Sequence, residues 1–525
     1  MRSIHKQPRI LLVNPVTPAS YWGLQGSTWF IGAKASHVPL SLITIAALLP
    51  RDWELKLVDM NVERRLKDTD VEWADAVLLT GMIIQRESLH EVLRRCAEKG
   101  VSTVVGGPFV SSSPDAKELT EASSLVIGEA EDGNVIDRLT EDLRAGTLQK
   151  RYQAVGRPHL SASPTPRFDL LRRGAYCALG IQVSRGCPHG CEFCNIRMLF
   201  GRKPRYKSPE QVTTELQAVY KTGYRGNVFF VDDNFIGNFR KAKAILHAVR
   251  DWQDSNGRPF LFFTEADVRL AKHDDLIELM TKAGFYAVFV GFESPSDEAL
   301  KTSAKTQNVG IDAKAVVRHL RSNGLMVFGG FIVGFDTDGP DCARLVGELI
   351  EDSSIDFAMP GMLIAIPGTP LEQRLRKEGR LVDIGSEGDN FVMTNVLPKG
   401  MSQSELLRIY RELIEKLYHP KHYFNRAYAA LAEWKQSAVR RTAKREYMAV
   451  VKSILRQGIF SSYSLYYWKF ILRTLFGNPR KFSRAFAMAI CGHHFIVYTR
   501  KEVLPKLLKA ERMLLAQEAT SQLAG

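Results

Sequence analysis

The sequence is short of several things, and each shortage removes a class of protein. Its longest apolar run, Ala485 to Tyr498, has 14 residues and contains His493 and His494, too few for the roughly 20 that a bilayer-spanning helix needs. Near the start, "ILLVNP" is a brief apolar run stopped by proline, unlike the apolar core of a secretory signal, so a cytoplasmic location is expected. Cysteine is scarce, with seven in 525 residues. That odd count argues against a disulfide framework and for reduced thiols. There is no internal repeat, no low-complexity tract and no glycine-rich dinucleotide fingerprint. What remains, at 45% hydrophobic and 24% charged residues, is a globular chain long enough for two or three domains, each with its own core. Acidic residues are scarce in one place only. Residues 401 to 525 carry 22 Lys and Arg against 8 Asp and Glu, which accounts for the whole net charge of +14, while the first 400 residues balance at 49 of each sign.

The chain divides into three textures. Over residues 1–150, β-branched runs (Ile10 to Val13, Glu54 to Val58, Ala76 to Thr80, Ser102 to Val105, Ser124 to Ile127) alternate with helical stretches (Leu40 to Leu49, Ser88 to Lys99, Glu131 to Arg144). This pattern predicts an α/β, doubly wound, Rossmann-like domain whose ligand sits beyond the C-terminal strand ends. Those ends carry Asn14, Asp59, Thr80, Gly81, Gly106, Gly107, Gly128 and Glu129; glycines there admit a bulky ligand, although turn glycines are ordinary in such a domain. A proline-dotted linker, residues 151–172, includes "GRPHLSASPTPRFD". A second βα series over residues 173–400 has strands expected near Ala178 to Ser184, Asn227 to Val231, Pro259 to Thr264, Tyr286 to Phe292, Leu325 to Phe335 and Ile355 to Ile366. Six repeats make a partial (β/α)6 barrel, with chemistry at the strand C-termini. Ser208, Pro209 and Gln211 read as a capped helix start. Residues 401–525 read as a basic, aromatic-rich helical domain.

Directly after the first barrel strand comes "SRGCPHGCEFCNI", residues 184 to 196, which holds Cys187, Cys191 and Cys194. Structural zinc wants four ligands, and a [4Fe–4S] cubane has four irons. Three thiolates therefore leave one iron open to a substrate or cosubstrate. His189 could supply a fourth ligand, but reads rather as a solvated loop residue. Cys96 and Cys177 read as a helix-face and a strand-start thiol.

The spacing Cys-x₃-Cys-x₂-Cys, with Phe193 before the third cysteine, resembles the signature of radical S-adenosylmethionine (SAM) enzymes. The resemblance implies that the three thiolates hold a [4Fe–4S] cluster and that SAM chelates the fourth iron. Later strand ends are similar to the family's SAM contacts in order. Asp232 and Asp233 of "FFVDDNF" are implied for the methionine amino group, and Glu265 of "FFTEADVRL" for the ribose, with Arg269 for the SAM carboxylate. Gly291 and Glu293 follow on the fourth strand, Gly330 with Gly329 and Gly334 on the fifth, and "IPGTPL" closes the sixth. "PLSLITIAALLP", "LVDMN", "VVGGPFV" and "VIGEAED" look like the cobalamin-binding domain that precedes the barrel in one large subclass. The N-terminal strand-end residues named above thereby become implied cobalamin contacts. No histidine stands in a D-x-H-x-x-G context, which implies cobalamin without a histidine ligand or, as the alternative, a domain that binds none.

Members of this subclass use one SAM to methylate cob(I)alamin and another to make a 5′-deoxyadenosyl radical, which activates an inert substrate carbon for methyl transfer. The resemblance therefore implies a cobalamin-dependent C-methyltransferase with a flavodoxin or ferredoxin donor. Its substrate would be a small molecule or a lipid, and the layout is similar to hopanoid C-2 methylases. A tRNA methylthiotransferase would need a second cysteine trio, but residues 1 to 176 contain only Cys96. An oxidative cyclase using the same cofactors remains open, as does a non-enzymatic cluster sensor. The basic tail is expected either to cap the barrel mouth or to bind an anionic surface. For the latter, peripheral association with the inner face of the membrane is favoured over nucleic acid, because Tyr, Trp and Lys in "SLYYWKF" suit a headgroup layer.

Overall fold

A computed structural model describes residues 7–112, 119–382, 391–435 and 444–524. Its first sheet has six parallel strands, β1 (Arg9–Asn14), β2 (Glu54–Asp59), β3 (Ala76–Thr80), β4 (Ser102–Gly106), β5 (Ser124–Ile127) and β6 (Arg151–Gln153), in the order β2-β1-β3-β4-β5-β6. Alternate residues face opposite layers. Leu11, Val13, Val77 and Val105 pack on helix Arg86–Glu98 through Leu89, Val92 and Leu93, while Ile10, Leu12, Leu78 and Val104 pack towards helices Leu40–Leu48 and Gly133–Ala145. The order reverses between β1 and β3, which places the crevice of a doubly wound sheet at their C-terminal ends. β6 was not legible as a strand; its three residues, 151–153, fall inside the segment read as linker and lie parallel to β5.

The second sheet is the expected partial barrel. It comprises β7 (Ala178–Ile181), β10 (Asn227–Phe230), β11 (Leu261–Ala266), β12 (Phe285–Glu293), β13 (Met326–Val333) and β14 (Phe357–Met362), all parallel in the order β14-β13-β12-β11-β10-β7. Between the first two run a short antiparallel pair, β8 (Ser184–Arg185) and β9 (Arg205–Tyr206). β7 stops three residues before its expected end because the Asp232 carboxylate takes the backbone N–H groups of Val183 and Ser184. The capping box at Ser208 forms as the sequence predicts, with Gln211 N donating to Ser208 Oγ and Ser208 N to Gln211 Oε1.

The helical region after residue 400 does not cap the barrel mouth. It packs on the opposite end and on the β14 edge: Tyr410 and Tyr418 donate hydroxyls to the carbonyls of Pro360 and Ala358, Trp434 Nε1 donates to Gly324 O before β13, and Phe495 meets Phe357. The reason lies in its aromatic positions, which form a floor continuous with the barrel core. The early segment Tyr21–Gly26 joins this floor, with Tyr21 stacked on Tyr418 and Gly26 N donating to His494 Nδ1. No helix among the described residues is long and apolar enough to cross a membrane.

The two sheets are clamped by buried charge. Arg185 of β8 reaches Glu129 (2.8 Å) and Glu131 (2.5 Å), and Arg205 of β9 reaches Glu129 (2.5 Å). Fully paired, such a cluster fixes geometry; deprived of one partner it leaves an uncompensated charge, at a cost of about 3–5 kcal/mol.

Candidate functional site

The cysteine loop leaves β8 through Gly186, whose positive φ of 98° is required because a Cβ there would lie 2.9 Å from the Gly201 carbonyl. The same carbonyl accepts from Cys187 N at 3.2 Å, closing the loop on itself. Its far side is tied in two places: Glu192 N donates to Ser303 O, and Glu192 accepts from Leu371 N while pairing with Arg374 at 2.8 Å. Cys187, Cys191 and Cys194 are free and half-buried. Burial pushes the Cys194 thiol up to about 12, and the neighbouring Cys191 and Cys187 add to it. Cys187 is raised by burial and by Cys191. Three crowded thiols, of which Cys187 and Cys194 are hard to ionise, suit a cationic centre that would take them as thiolates. Among the described residues no three His, Cys, Asp or Glu side chains close round a single metal ion; thiolates of a cubane each hold a different iron and have no such requirement. The residues fit a cluster.

At the ends of β10 and β11 three carboxylates crowd together. Asp232 is raised to about 7, Asp233 to about 6 and Glu265 to about 8, chiefly by burial, with mutual repulsion adding at Asp232 and Glu265. Asp232 is spent on the Val183 and Ser184 amides, and Asp233 accepts from Gly186 N at 3.4 Å. The Glu265 carboxylate has no hydrogen bond or ion pair with a described residue, although its main-chain carbonyl accepts from Phe235 N at 2.9 Å. The pocket therefore disfavours the charged form of its carboxylates, which a bound cation would stabilise.

Around this pocket, several of the expected ligand groups are held by neighbours from other parts of the chain. Glu293, in left-handed conformation (φ 66°), holds the Lys305 ammonium at 2.7 Å, and Gly291 leaves room for that approach. Arg269 forks onto Asp267 (2.8 and 2.7 Å) and reaches His189 Nε2 at 3.0 Å. His189 is thus not a solvated loop residue: it meets Asp267 at 3.0 Å, drawn in by a buried carboxylate that Asn234 also serves. Against its burial, hydrogen bonds from Arg269, His189 and Asn234 hold Asp267 well below the usual carboxylate range. Asp267 sits within "TEADVR" and could have been singled out as a helix cap. Lys305 carried no local signal. Gly330 is needed because a Cβ there would lie 2.6 Å from the Phe289 ring, and Phe193 packs towards Phe335.

The N-terminal strand ends differ in character. Asp59 is saturated by Asn61 N (3.0 Å), Asn61 Nδ2 (2.9 Å), Asn14 Nδ2 (3.0 Å) and the Tyr176 hydroxyl (3.0 Å), and Glu129 by its two arginines. What is left is a floor of main chain and hydroxyls. Thr80 pairs in register with Gly106, Gly81 O accepts from Phe109 N, and Gly128 N donates to Ser111 Oγ. Gly107 (φ 98°) could carry no Cβ, which would lie 2.5 Å from Thr80 Oγ1. A charge-balanced glycine cradle fits a large amide-bearing macrocycle such as cobalamin. It adjoins the cysteine loop, because helix Pro108–Ser112 after the glycines contacts helix Ile196–Phe200 after the third cysteine, with Asn195 Nδ2 donating to Ser112 Oγ at 3.2 Å.

Below the acidic pocket the inward face of the barrel is aromatic. Phe229 stacks on Phe263 at 4.5 Å, Phe263 meets Tyr286, and Trp22 meets Phe289 at 4.9 Å. At the floor, Arg484 of helix Phe482–Tyr498 lies 5.0 Å from the ring centres of both Tyr286 and Trp434, without an ion pair to a described residue.

Residues 181–348 match the radical SAM superfamily, residues 29–136 a B12 binding domain, and residues 369–504 a domain of unknown function. The chain is 34% identical to a hopanoid C-2 methylase of Rhodopseudomonas palustris, covering 94% of each protein. It is 35% identical to an uncharacterized methyltransferase of Synechocystis sp., covering 93% of this chain and 92% of that one. The fold is shared with OxsB, a cobalamin-dependent SAM radical enzyme (TM-score 0.60, 15% identity, 98% of this chain and 81% of that one). It is shared also with the radical SAM methyltransferase TsrM of Kitasatospora setae (TM-score 0.58, 13% identity, 86% and 99%).

Proposed function

The chain belongs to the radical SAM methyltransferases that carry an N-terminal B12-binding domain, and from that premise we propose that it methylates an inert carbon of an elongated, largely apolar substrate of the polycyclic lipid kind. Its cofactors are a [4Fe–4S] cluster, SAM and cobalamin; when bound, they supply reductive sulfonium cleavage and the methyl carrier. The chain's own residues bind, orient and exclude water. Cys187, Cys191 and Cys194 would hold the cluster with Phe193 shielding it. Asp233 and Glu265 would take the SAM ammonium and ribose hydroxyls, while Asp232 shapes the turn beneath them. Arg269, fixed by Asp267, would face the SAM carboxylate, and Gly291, Glu293 and Gly330 would line the remaining wall. Asn14, Asp59, Thr80, Gly81, Gly106, Gly107, Gly128 and Glu129 would frame the cobalamin cradle.

The observation that carries this reading is the juxtaposition itself. An acidic pocket beside three thiols abuts a neutral glycine cradle across the Asn195–Ser112 contact. The aromatic barrel face supports an apolar substrate, and a hopanoid is what the Rhodopseudomonas palustris relative is named for. Arg484 would hydrogen-bond an oxygen at the substrate's distal end. A flavodoxin or ferredoxin would serve as reductant, and the basic tail would hold the enzyme at an anionic membrane. The test is SAM carrying a labelled methyl group, given anaerobically with reductant to reconstituted protein. Label reaching cobalamin and then a lipid fraction supports methyl transfer. Formation of 5′-deoxyadenosine with no labelled cobalamin would replace it with a cyclase-type reaction.

A further inference from the structure

The helical hairpin formed by helix Lys444–Ser453, the π-helical turn Ile454–Ile459 and helix Ser464–Gly477 is built inside out on its solvent side. Its inward face is conventional: Ser453 meets the Tyr467 hydroxyl, Trp468 Nε1 donates to Gly458 O, and Tyr467, Phe470, Ile471 and Thr474 are buried. A solvent-facing helix side should be polar. Here Tyr447, Val451, Leu455 and Ile459 recur every four residues on the exposed side, and the tips are more exposed still, with Phe460 at 75%, Leu465 at 83% and Phe476 at 81%. An apolar surface of this extent marks an interaction site.

Charge selects the partner. From Tyr447 to Lys501 there are nine Lys and Arg and not one Asp or Glu. Arg456, Lys469, Arg473 and Arg480 stand exposed among the apolar residues and form no ion pair with a described residue. Trp29 extends the face from the N-terminal segment, with Lys452 donating to its carbonyl at 3.0 Å and lying 4.9 Å from its ring. Nucleic acid would answer the cations but leave Ile459, Leu465 and Phe476 in water. A second copy of this chain would bury the apolar residues but set a wholly cationic patch against itself. An anionic bilayer answers both, taking the apolar side chains below the headgroups and the cations at their level.

We propose that this hairpin, with Trp29, is the surface by which the enzyme docks on anionic lipid, Phe460, Leu465 and Phe476 inserting while Arg456, Lys469 and Arg473 engage headgroups. The proposal deepens the reading of a lipid substrate and rests on it for its purpose, but its test requires no turnover. Full-length protein is sedimented with vesicles of phosphatidylcholine alone or mixed equally with phosphatidylglycerol, without SAM or reductant. Binding is expected to the mixed vesicles only, weakening as salt rises. R456E/K469E should bind at least about thirtyfold more weakly, and F460S/L465S/F476S at least about tenfold more weakly. Both variants should melt as the wild type does, since all five side chains lie on the surface. Variants that bind like the wild type would overturn the proposal. So would a wild type that ignores both vesicles and instead forms a concentration-dependent dimer abolished by F476S. Label transfer from SAM to cobalamin, measured without vesicles, separates this failure from failure of the methylase reading.

Discussion

The two parallel sheets are the same device put to opposite electrostatic use. Both have six strands and present their C-terminal ends to a ligand. In the N-terminal sheet the strand-end acids Asp59 and Glu129 are satisfied by protein donors: Asp59 by four, Glu129 by Arg185 and Arg205 from β8 and β9. The ligand meets only backbone and hydroxyls. In the barrel the strand-end acids are left in want, with the Glu265 carboxylate unpaired among the described residues and Asp233 on a long contact from Gly186 N. A neutral macrocycle asks for shape, whereas a sulfonium-bearing amino acid asks for charge, and the destabilised carboxylates Asp233 and Glu265 sit where the proposed cation would discharge them.

That contrast can be broken at four points, from the largest effect to the smallest. Cys194→Ala should remove the cluster's absorbance and take 5′-deoxyadenosine formation to background, since two thiolates do not hold a cubane; retained cleavage would end the barrel half of the comparison. Arg185→Met should cost about 3–5 kcal/mol in urea unfolding, because Glu129 and Glu131 would lose a buried partner; an unchanged midpoint would mean that the sheets are not clamped by charge. Glu265→Gln should act in opposite directions on the free and liganded enzyme. Its folded value of about 8 stands above the ordinary 4.5, so the folded state binds the extra proton and wild-type stability falls as pH rises from about 4.5 to 8. The variant escapes that loss and should be more stable than wild type by about 1–3 kcal/mol at pH 8 and equal at pH 4. It should nevertheless bind SAM about tenfold or more weakly by calorimetry. Gly107→Ala should cost about 1–2 kcal/mol from its left-handed backbone and lower cobalamin absorbance in reconstituted protein, a local loss in a sheet that works by shape.

Much of the fold could be read from the chain because both sheets are local in origin. Short β-branched runs alternating with helical stretches specify βα units, and right-handed crossovers leave little choice in assembling them. β6 escaped because "RYQ" between a glycine-bearing turn and a proline-rich stretch has no periodicity to read; only its place beside β5 makes it a strand. The cysteine trio was legible for the same local reason, three thiols inside eight residues. The roles of the acids were not. Asp232 and Asp233 are neighbours in sequence, yet one braces a turn and the other faces the pocket, a division set by amides 48 residues away.

By itself, then, the sequence determined the order of the domains, the cysteine loop, the strand ends that carry the candidate ligand groups and the excess of cations in the tail, since each depends on residues close together along the chain. Only the tertiary structure decided which carboxylates are spent and which stay hungry, that Lys305 and His189 belong to the site's surroundings, and that the tail floors the barrel while turning an apolar, cationic hairpin outward. Those outcomes turn on burial and on partners far apart in sequence, and the energy of a charge is fixed by what encloses it rather than by what precedes it in the chain.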